Sequence, residues 1–417
     1  MAEHNGKHSA FAVLKLRDYR LFISFRFFTT IAFQMQSIIV GWQVYQLTHD
    51  PLALGLIGLA EAIPFLLVAL YAGHAADLYN RKAIMSLFTL VFLAGTILLF
   101  VFSYDYIRNG LALGVVPVYL IVALTGIARA FIYPAAIAMM AQLVPRHLYP
   151  NSSTWNSTVW HIAAITGPAM GGLIYGFFGV QVAYLTAMGF VILALIMLFI
   201  VKSRPVPPIV EKETLYQRLA TGLKFVFRNQ ILLGTMSLDM FAVLFGGAVA
   251  MLPVFAAEVL KVGPQGLGFL RAAPMAGAVL MSFVLAYRPP MIRSGRWLFI
   301  GVSGFGISII LFALSHNFYL SLFMLMLSGM FDNISVIIRA TAMQLLTPDE
   351  MRGRVASVNS IFIGSSNEIG SFESGVAAKI MGLIPSVIFG GAMTLVVVAA
   401  TAKWAPKLRS LNLRAIH

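Results

Sequence analysis

The chain contains no cysteine, which removes disulfides, thiolate metal sites and thiol nucleophiles from consideration. Charge is scarce as well: Asp, Glu, Lys and Arg make up only 11% of the 417 residues, against about 25% in soluble domains. Acids are the scarcer sign, 15 against 29 Lys and Arg. No stretch matches the phosphate-cradling G-x-x-x-x-G-K-[ST] loop, and no His/Glu pair has metalloprotease spacing. ATP-driven transport and hydrolysis are therefore disfavoured, and neither enzyme activity, a cofactor nor a metal site is expected. The first twenty residues lack a short apolar core with a small-residue cleavage site, so no removable signal peptide is expected. Residues 9–20 fit either a short amphipathic surface helix or a polar tail.

What fills the chain is apolar: 59% hydrophobic residues and a mean hydropathy of +0.87. Runs of about 20 apolar residues, enough to cross a bilayer core as a helix, recur throughout. Hydropathy read against breakers places spans near 21–47, 52–77, 83–103, 115–143, 153–178 and 182–202. Six more fall near 231–257, 266–288, 297–315, 318–346, 355–380 and 385–404.

The placement of basic residues tests this map. With the N-terminus in the cytoplasm, the cytoplasmic segments hold 22 of the 29 Lys and Arg, and the other side holds only Arg108 and Lys261. The remaining five, Arg26, Arg129, Arg271, Arg339 and Lys379, fall inside spans. Such asymmetry is the positive-inside signature, so both termini are expected in the cytoplasm. The net charge of +14 then reflects topology, and nucleic acid is not an expected partner.

The segment 203–230 is Pro-rich and then amphipathic, and reads as a linker between two halves. The halves resemble each other: QLVPRHLYPNSSTWNS (142–157) and QLLTPDEMRGRVASVNS (344–360) match at both ends with one insertion. The same register sets Gly167 opposite Gly370 and Gly172 opposite Gly375, as in a duplicated transporter. The expected fold class is an all-α polytopic membrane protein with twelve transmembrane helices in two six-helix bundles. Its parts are an N-terminal segment (1–20), a first bundle (21–202), the linker (203–230), a second bundle (231–404) and a tail (405–417).

Between the second and third spans lies AGHAADLYNRK (72–82). Gly73 suits close helix approach, Asp77 suits pairing with Arg or a helix N-terminus, and Arg81 and Lys82 anchor the turn. The pattern resembles the loop motif G-x-x-x-D-[RK]-x-G-[RK]-[RK] of the major facilitator superfamily. Leu78 replaces a basic residue and Asn80 replaces Gly; Asn is the mildest substitute where a left-handed turn is needed. The second-half counterpart, YRPPMIRSGRW (287–297), keeps Gly295 and Arg296 but has no acid. Arg129 in GIARAFIYP resembles the superfamily's intramembrane arginine. AAITGPAMGG (163–172), with Gly167, Pro168, Gly171 and Gly172, resembles its antiporter motif, which accompanies export by proton exchange; a purely packing role is the other reading. Longer runs at 40–65, 237–260 and 330–375 resemble the enterobactin-exporter-like branch, which mixes siderophore exporters with presumed drug exporters.

Ionisable residues inside spans are costly and mark pathways or coupling by default. Asp332 lies roughly 21 Å from the outer end of its span and Asp239 about 12 Å from the cytoplasmic end of its own. Desolvation favours the neutral form of a carboxyl, so both are proton-coupling candidates, with Glu61 beside the bend at Pro64 as a third. Asp332 and Arg339 share a helix face but sit about 10 Å apart along it, too far to touch. Arg26, Arg129 and Arg339 are candidate cationic groups of a central cavity, suited to carboxylate, phosphate or catecholate oxygens or to pairing with the aspartates. Gln34 and Glu368 are further cavity candidates. Glu368 and Glu373 face different neighbours, one of them a candidate partner for Lys379. His161 reads either as a titrating group or as an ordinary hydrogen-bonded histidine. Trp42 and Tyr45 read as anchors at the membrane interface.

The resemblance implies a secondary transporter in a bacterial-type inner membrane that exports an amphipathic small molecule, siderophore or drug-like, in exchange for protons. Its bundles rock about a central site, with Asp77 and the loop around Arg352 and Arg354 latching one state. Alternatives are a lipid or lysolipid flippase, a metal-ion carrier, or a membrane receptor that does not transport. The expected partners are the substrate, protons and membrane lipids, and the resemblance implies a monomer.

Overall fold

The computed structural model describes residues 11–109, 114–205 and 215–415. Residues 1–10 of the N-terminal segment and 206–214 of the linker lie outside the described residues. The expected spans all appear as helices, and no strand occurs among the described residues.

In the first half, α1 is Arg17–Thr48, α2 Pro51–Leu78, α3 Arg81–Asn109 and α4 Val116–Leu143. The break between α1 and α2 is local chemistry. His49 takes a left-handed φ of 48°, the Asp50 side chain accepts from the Leu52 N–H, and Pro51 occupies the first turn of α2. The next two spans lie within Tyr149–Ile200 and are separated by a reversal at Gly179, whose φ of 86° suits only glycine. The arms are α5 (149–178) and α6 (180–200). Along α5, Ser152 meets Tyr19 and Tyr175 meets Gln46, so it runs parallel to α1. Tyr184 of α6 meets Gln43, and Arg204 beyond its end meets Asp18, so α6 runs antiparallel to α1.

In the second half, α7 begins as Gln230–Gly246, capped by Asn229, and breaks at Gly247. Short 3-10, α and π turns then carry the span to Val259, where a single helix over 231–257 was expected. α8 is Gly263–Tyr287, α9 Ser294–Leu314, α10 Phe318–Leu346, α11 Arg352–Met381 and α12 Leu383–Trp404. Among the described residues, ten helical stretches are long and apolar enough to cross a membrane. One of them holds both α5 and α6, and the polar α11 falls outside the set, which reconciles ten stretches with twelve spans.

The halves share a core at only one end. Near His49, Gly179 and Lys261, apolar side chains from both halves form one cluster, with Ile39 and Tyr45 alongside Met251, Phe255 and Leu267. At the other end, which carries Arg17 and Trp404, each half has its own clusters. The molecule is therefore closed at the end away from the termini and parted at the end that carries them.

The closure is built on small residues, which let helix backbones approach where lipid supplies no hydrophobic drive for association. A methyl group placed on Gly172 of α5 would lie 2.3 Å from the Pro264 carbonyl oxygen and 2.8 Å from the Gly268 Cα of α8. On Gly375 of α11 it would lie 2.9 Å from the Gly55 Cα of α2. The repeat that pairs Gly172 with Gly375 thus produces two equivalent seams. Gly73 behaves otherwise: a methyl group there would touch nothing within 4 Å. The close approach expected at Gly73 is not made, because it lies at the parted end.

The helix Leu215–Arg228 of the linker lies against the second half, with Gly222 over the Arg354 backbone. The tail folds back onto the start of α9: the Gly295 N–H donates to the Leu411 carbonyl (3.1 Å), and a methyl on Gly295 would lie 1.9 Å from the Leu408 carbonyl oxygen. Packing by the tail accounts for the glycine kept in the second-half motif. Overpacking of this kind costs about 1–3 kcal/mol, so Gly268→Val or Gly375→Val should lower the melting temperature in detergent by a few degrees, while Gly73→Val leaves it unchanged. Equal melting of Gly268→Val and wild type would show that the seam is not tight.

Candidate functional site

The space between the halves is bordered by charged residues at mid-helix, and local packing decides which of them pair. Gly126 lets α4 lie on α2, since a methyl there would come 2.6 Å from the Glu61 carbonyl oxygen. One turn on, the Arg129 guanidinium forms an ion pair with the Glu61 carboxylate and lies over the Phe33 ring at 5.8 Å. Arg129 remains nearly half exposed, at 45% of its side chain, so the pair faces open space. The expected proton-coupling candidate Glu61 and the expected intramembrane arginine are therefore partners.

The second half repeats the device in a drier place. Asp239 of α7 forms an ion pair with Arg339 of α10, each side chain only 7% exposed. Asp332, seven residues before Arg339, shares its face but pairs with no cation among the described residues. Its chain neighbours are turned elsewhere: Asn333 donates to Ser282 of α8 (2.9 Å), and Ile334 packs at Gly301 of α9. Asp332 thus stands half-buried at mid-membrane depth with its carboxylate uncommitted.

Glu368 of α11 forms no direct ion pair among the described residues, but feels the charges of Arg129 from the first half and Arg271 of α8. Arg271 also donates to the Val249 carbonyl in the broken part of α7 (3.1 Å). This arginine was noted in its span but not marked as a site residue; the signal was its intramembrane position. Arg26 packs over the Tyr133 ring at 5.7 Å and meets no carboxylate among the described residues. Gln34 is half-buried against Gly167, where a methyl group would come 2.7 Å from its Cβ. A methyl group on Gly171 would come 3.2 Å from the Met35 Cα, so the stretch from Gly167 through Pro168 to Gly172 packs α5 onto α1 and α8. His161 is an ordinary hydrogen-bonded histidine, its Nδ1 2.7 Å from the Ser157 carbonyl oxygen.

Two polar contacts cross between the halves at the closed end, and sequence reasoning missed both. Tyr45 donates to the Glu258 carboxylate, and Lys379 pairs with Asp50 at 2.5 Å. The second contact corrects the expectation that Glu368 or Glu373 meets Lys379. Six residues of helix turn Lys379 away from Glu373, and the N-cap of α2 lies across the seam. The first corrects the reading of Trp42 and Tyr45 as interface anchors. They are 5% and 2% exposed, because the shared core, not the headgroup layer, receives that end of α1.

At the parted end the loop motif anchors its own half. Lys82 donates to the Phe199 and Val201 carbonyls (2.8 and 2.6 Å), and Arg81 to the Ala76 carbonyl. Asn80 does not take the left-handed conformation expected of it; its side chain accepts from the Ala83 N–H at the start of α3 and donates to Ser203. Asp77 is exposed and meets no cation among the described residues, so the latch expected between it and the loop of Arg352 and Arg354 is not closed in this state.

The family model of the Major Facilitator Superfamily matches residues 22–371. The enterobactin exporter EntS of Escherichia coli O1:K1 / APEC is 24% identical over 337 residues, 79% of this chain and 78% of that protein. The EntS of Shigella flexneri is also 24% identical, over 79% of this chain and 77% of its own. A POT family transporter in complex with 5-aminolevulinic acid superposes with a TM-score of 0.75 at 13% identity, over 94% of this chain and 96% of the other. A bacterial homolog of the human lysosomal transporter Spinster, inward-facing and unoccupied, superposes at 0.70 with 15% identity, over 96% and 98%.

Breaking a buried ion pair from one side costs about 3–5 kcal/mol, because the other charge is stranded. Arg339→Met should therefore be far less stable than wild type, and adding Asp239→Leu should restore much of the loss. A double variant no better than the single one would show that the pair is not the source of the effect. For Asp50, partial burial opposes ionisation, but the hydrogen bonds from Lys379 and the Leu52 N–H outweigh it and hold the carboxyl below its ordinary value. A lowered value means stability that is present above about pH 3.9 and lost as pH falls through the folded-state value. The melting difference between wild type and Asp50→Asn should be constant from about pH 8 to 5 and vanish in stronger acid. A difference that survived at the acid extreme would rule the linkage out.

Proposed function

We propose that the chain, which belongs to the Major Facilitator Superfamily, exports an amphipathic small molecule in exchange for protons by alternating access. It is a multi-pass inner-membrane transporter with both termini in the cytoplasm, as the positive-inside asymmetry argues. The parted end is then the cytoplasmic one, and the conformation described is the one that loads substrate from inside the cell. Two half-bundles hinged at the glycine seams would rock to expose the same cavity to the other side, and a monomer suffices.

The observation that carries the coupling is Asp332. A carboxylate at that depth without a cation is most cheaply neutralised by a proton, and it shares a face with the Asp239–Arg339 pair. Proton uptake at Asp332 would change the charge beside that pair without breaking it. Glu61 is already balanced by Arg129, which ranks it below Asp332 as a carrier. Asp239 is ranked below Asp332 on the same ground.

Substrate class follows from what the cavity leaves over. Arg26 pairs with no acid among the described residues, Arg129 is accessible beside Glu61, and Arg271 donates to the Val249 carbonyl in the broken part of α7. Guanidinium groups bind carboxylate, phosphate and catecholate oxygens well, and Phe33 and Tyr133 beside two of them suit flat rings. An anionic or acidic-phenolic compound fits that lining. The similarity to enterobactin exporters puts a siderophore first and a drug-like compound second.

The test uses everted membrane vesicles with an acidic interior and an iron-free catecholate siderophore. Wild type should accumulate it, an uncoupler should abolish the accumulation, and Asp332→Asn should reduce it at least about tenfold, the usual effect of losing a proton-transfer group. Accumulation indifferent to the uncoupler and to Asp332→Asn would remove the proton from the mechanism. No accumulation would exclude the siderophore and direct the same assay to drug-like compounds.

A further inference from the structure

On the outer flank of the second half, away from the cavity, α9, α10, α12 and the tail enclose a groove of about 770 Å³. Its walls are apolar, with Phe299, Ile300 and Ile307 of α9, Phe331 of α10 and Val398 of α12. Gly304 makes room for the Phe331 ring, since a methyl there would come within 2.5 Å of it. One end is different in kind. Arg293, Arg296 and Arg409 gather there, with the polar tail residues Ser410 and Asn412.

None of these three guanidinium groups has an ion pair or side-chain hydrogen bond among the described residues, and all three are exposed. Nor does the neighbouring sequence offer a counter-charge: no Asp or Glu occurs in 259–331 or in 374–417. Arg293 is also one of three non-glycine residues with positive φ among the described residues, 57°, a conformation that surrounding structure must hold in place. The tail holds it: the Leu413 N–H donates to the Ser294 hydroxyl, and the Arg414 N–H to the Met291 carbonyl (3.1 Å).

Depth supplies the second constraint. From Arg296 to Ile307 the groove follows α9 for roughly 16 Å, close to the ~15 Å of hydrocarbon in one leaflet of a ~30 Å core. The arginines lie at the termini-bearing end of α9 and the apolar walls run toward the bilayer centre.

We propose that this groove is a binding site for one anionic phospholipid of the leaflet on the termini-bearing side. Its phosphate sits among Arg293, Arg296 and Arg409, and an acyl chain lies along α9 over Phe331. The three arginines supply charge-assisted hydrogen bonds to phosphate oxygens, and the tail is the element that the bound lipid holds against α9. The site faces lipid and is separate from the transport cavity, so it stands whatever the transported substrate is.

The test is native mass spectrometry of the full chain released from nanodiscs of equal phosphatidylglycerol and phosphatidylcholine. Wild type should retain one phosphatidylglycerol in preference to phosphatidylcholine. The triple substitution Arg293→Gln, Arg296→Gln, Arg409→Gln should weaken that preference at least about tenfold, given the attraction each cation contributes at an anionic surface. Ser303→Trp, which fills the groove and leaves the charges intact, should reduce retention of both lipids at this site. A control with Arg146, Lys224 and Arg228 each changed to Gln should behave as wild type. Equal retention of the two lipids by wild type, or equal loss in the control, would overturn the site. Full retention in Ser303→Trp would place the lipid on the charged rim alone and overturn the groove.

Discussion

Two half-bundles meet through four glycines, Gly172 against Gly268 and Gly55 against Gly375, and the remaining geometry depends on that contact. In a bilayer, apolar side chains gain little by leaving lipid for protein, so close backbone packing and polar contacts must hold helices together. At the seams a methyl group on Gly172, Gly268 or Gly375 has no room, and one on Gly55 would be tight at 3.2 Å. Because both seams lie toward the end away from the termini, the halves close there and part at the other end. The cavity, its opening and the exposure of Asp77 all follow from that asymmetry. Beyond the seams, Tyr45–Glu258 and Asp50–Lys379 add polar contacts that must break if the closed end opens. The Asp50–Lys379 pair is partly exposed and exchangeable with water, which suits a contact made and broken in each cycle.

Charge inside the bundle obeys a stricter rule. Each half matches one arginine with one acid of its own, Arg129 with Glu61 and Arg339 with Asp239, so these two pairs need no partner from the other half. Independence of this kind lets the halves move apart without stranding a charge in lipid, a cost that would otherwise oppose rocking. Asp332 and Glu368 are left over, with Arg26 and Arg271 as the cations not paired to an acid within a half. These four residues are where a proton or an anionic substrate would change the electrostatic balance.

The spans were legible because the bilayer imposes a length and a composition on anything that crosses it. Even α11, which falls outside the set of long apolar helices, was placed by reading hydropathy against its flanking breakers. The turn at Gly179, whose non-helical backbone separates α5 from α6, was also readable as a gap between two apolar runs. Sites were less legible. Glu61, Arg129, Asp239 and Arg339 were all chosen as costly intramembrane charges, but which of them pair depends on helix rotation, and Gly126 rather than any charge brings Glu61 to Arg129. Trp42 and Tyr45 were misread because aromatic residues near a span end look alike whether they meet headgroups or a second bundle. Gly73 was expected at a close helix approach, but it lies at the parted end, where a methyl placed on it would meet nothing within 4 Å.

Sequence alone determined the helical membrane class, the duplicated plan and the positions of the intramembrane charges, because each reflects the chemistry of a residue or a run of residues against the solvent. Only tertiary structure decided which end is closed, which acid balances which arginine, why Gly295 is kept and where a groove opens beside three exposed arginines. Those outcomes depend on the rotation and approach of helices distant in sequence, and a few ångströms between glycine backbones, invisible in composition or spacing, set them.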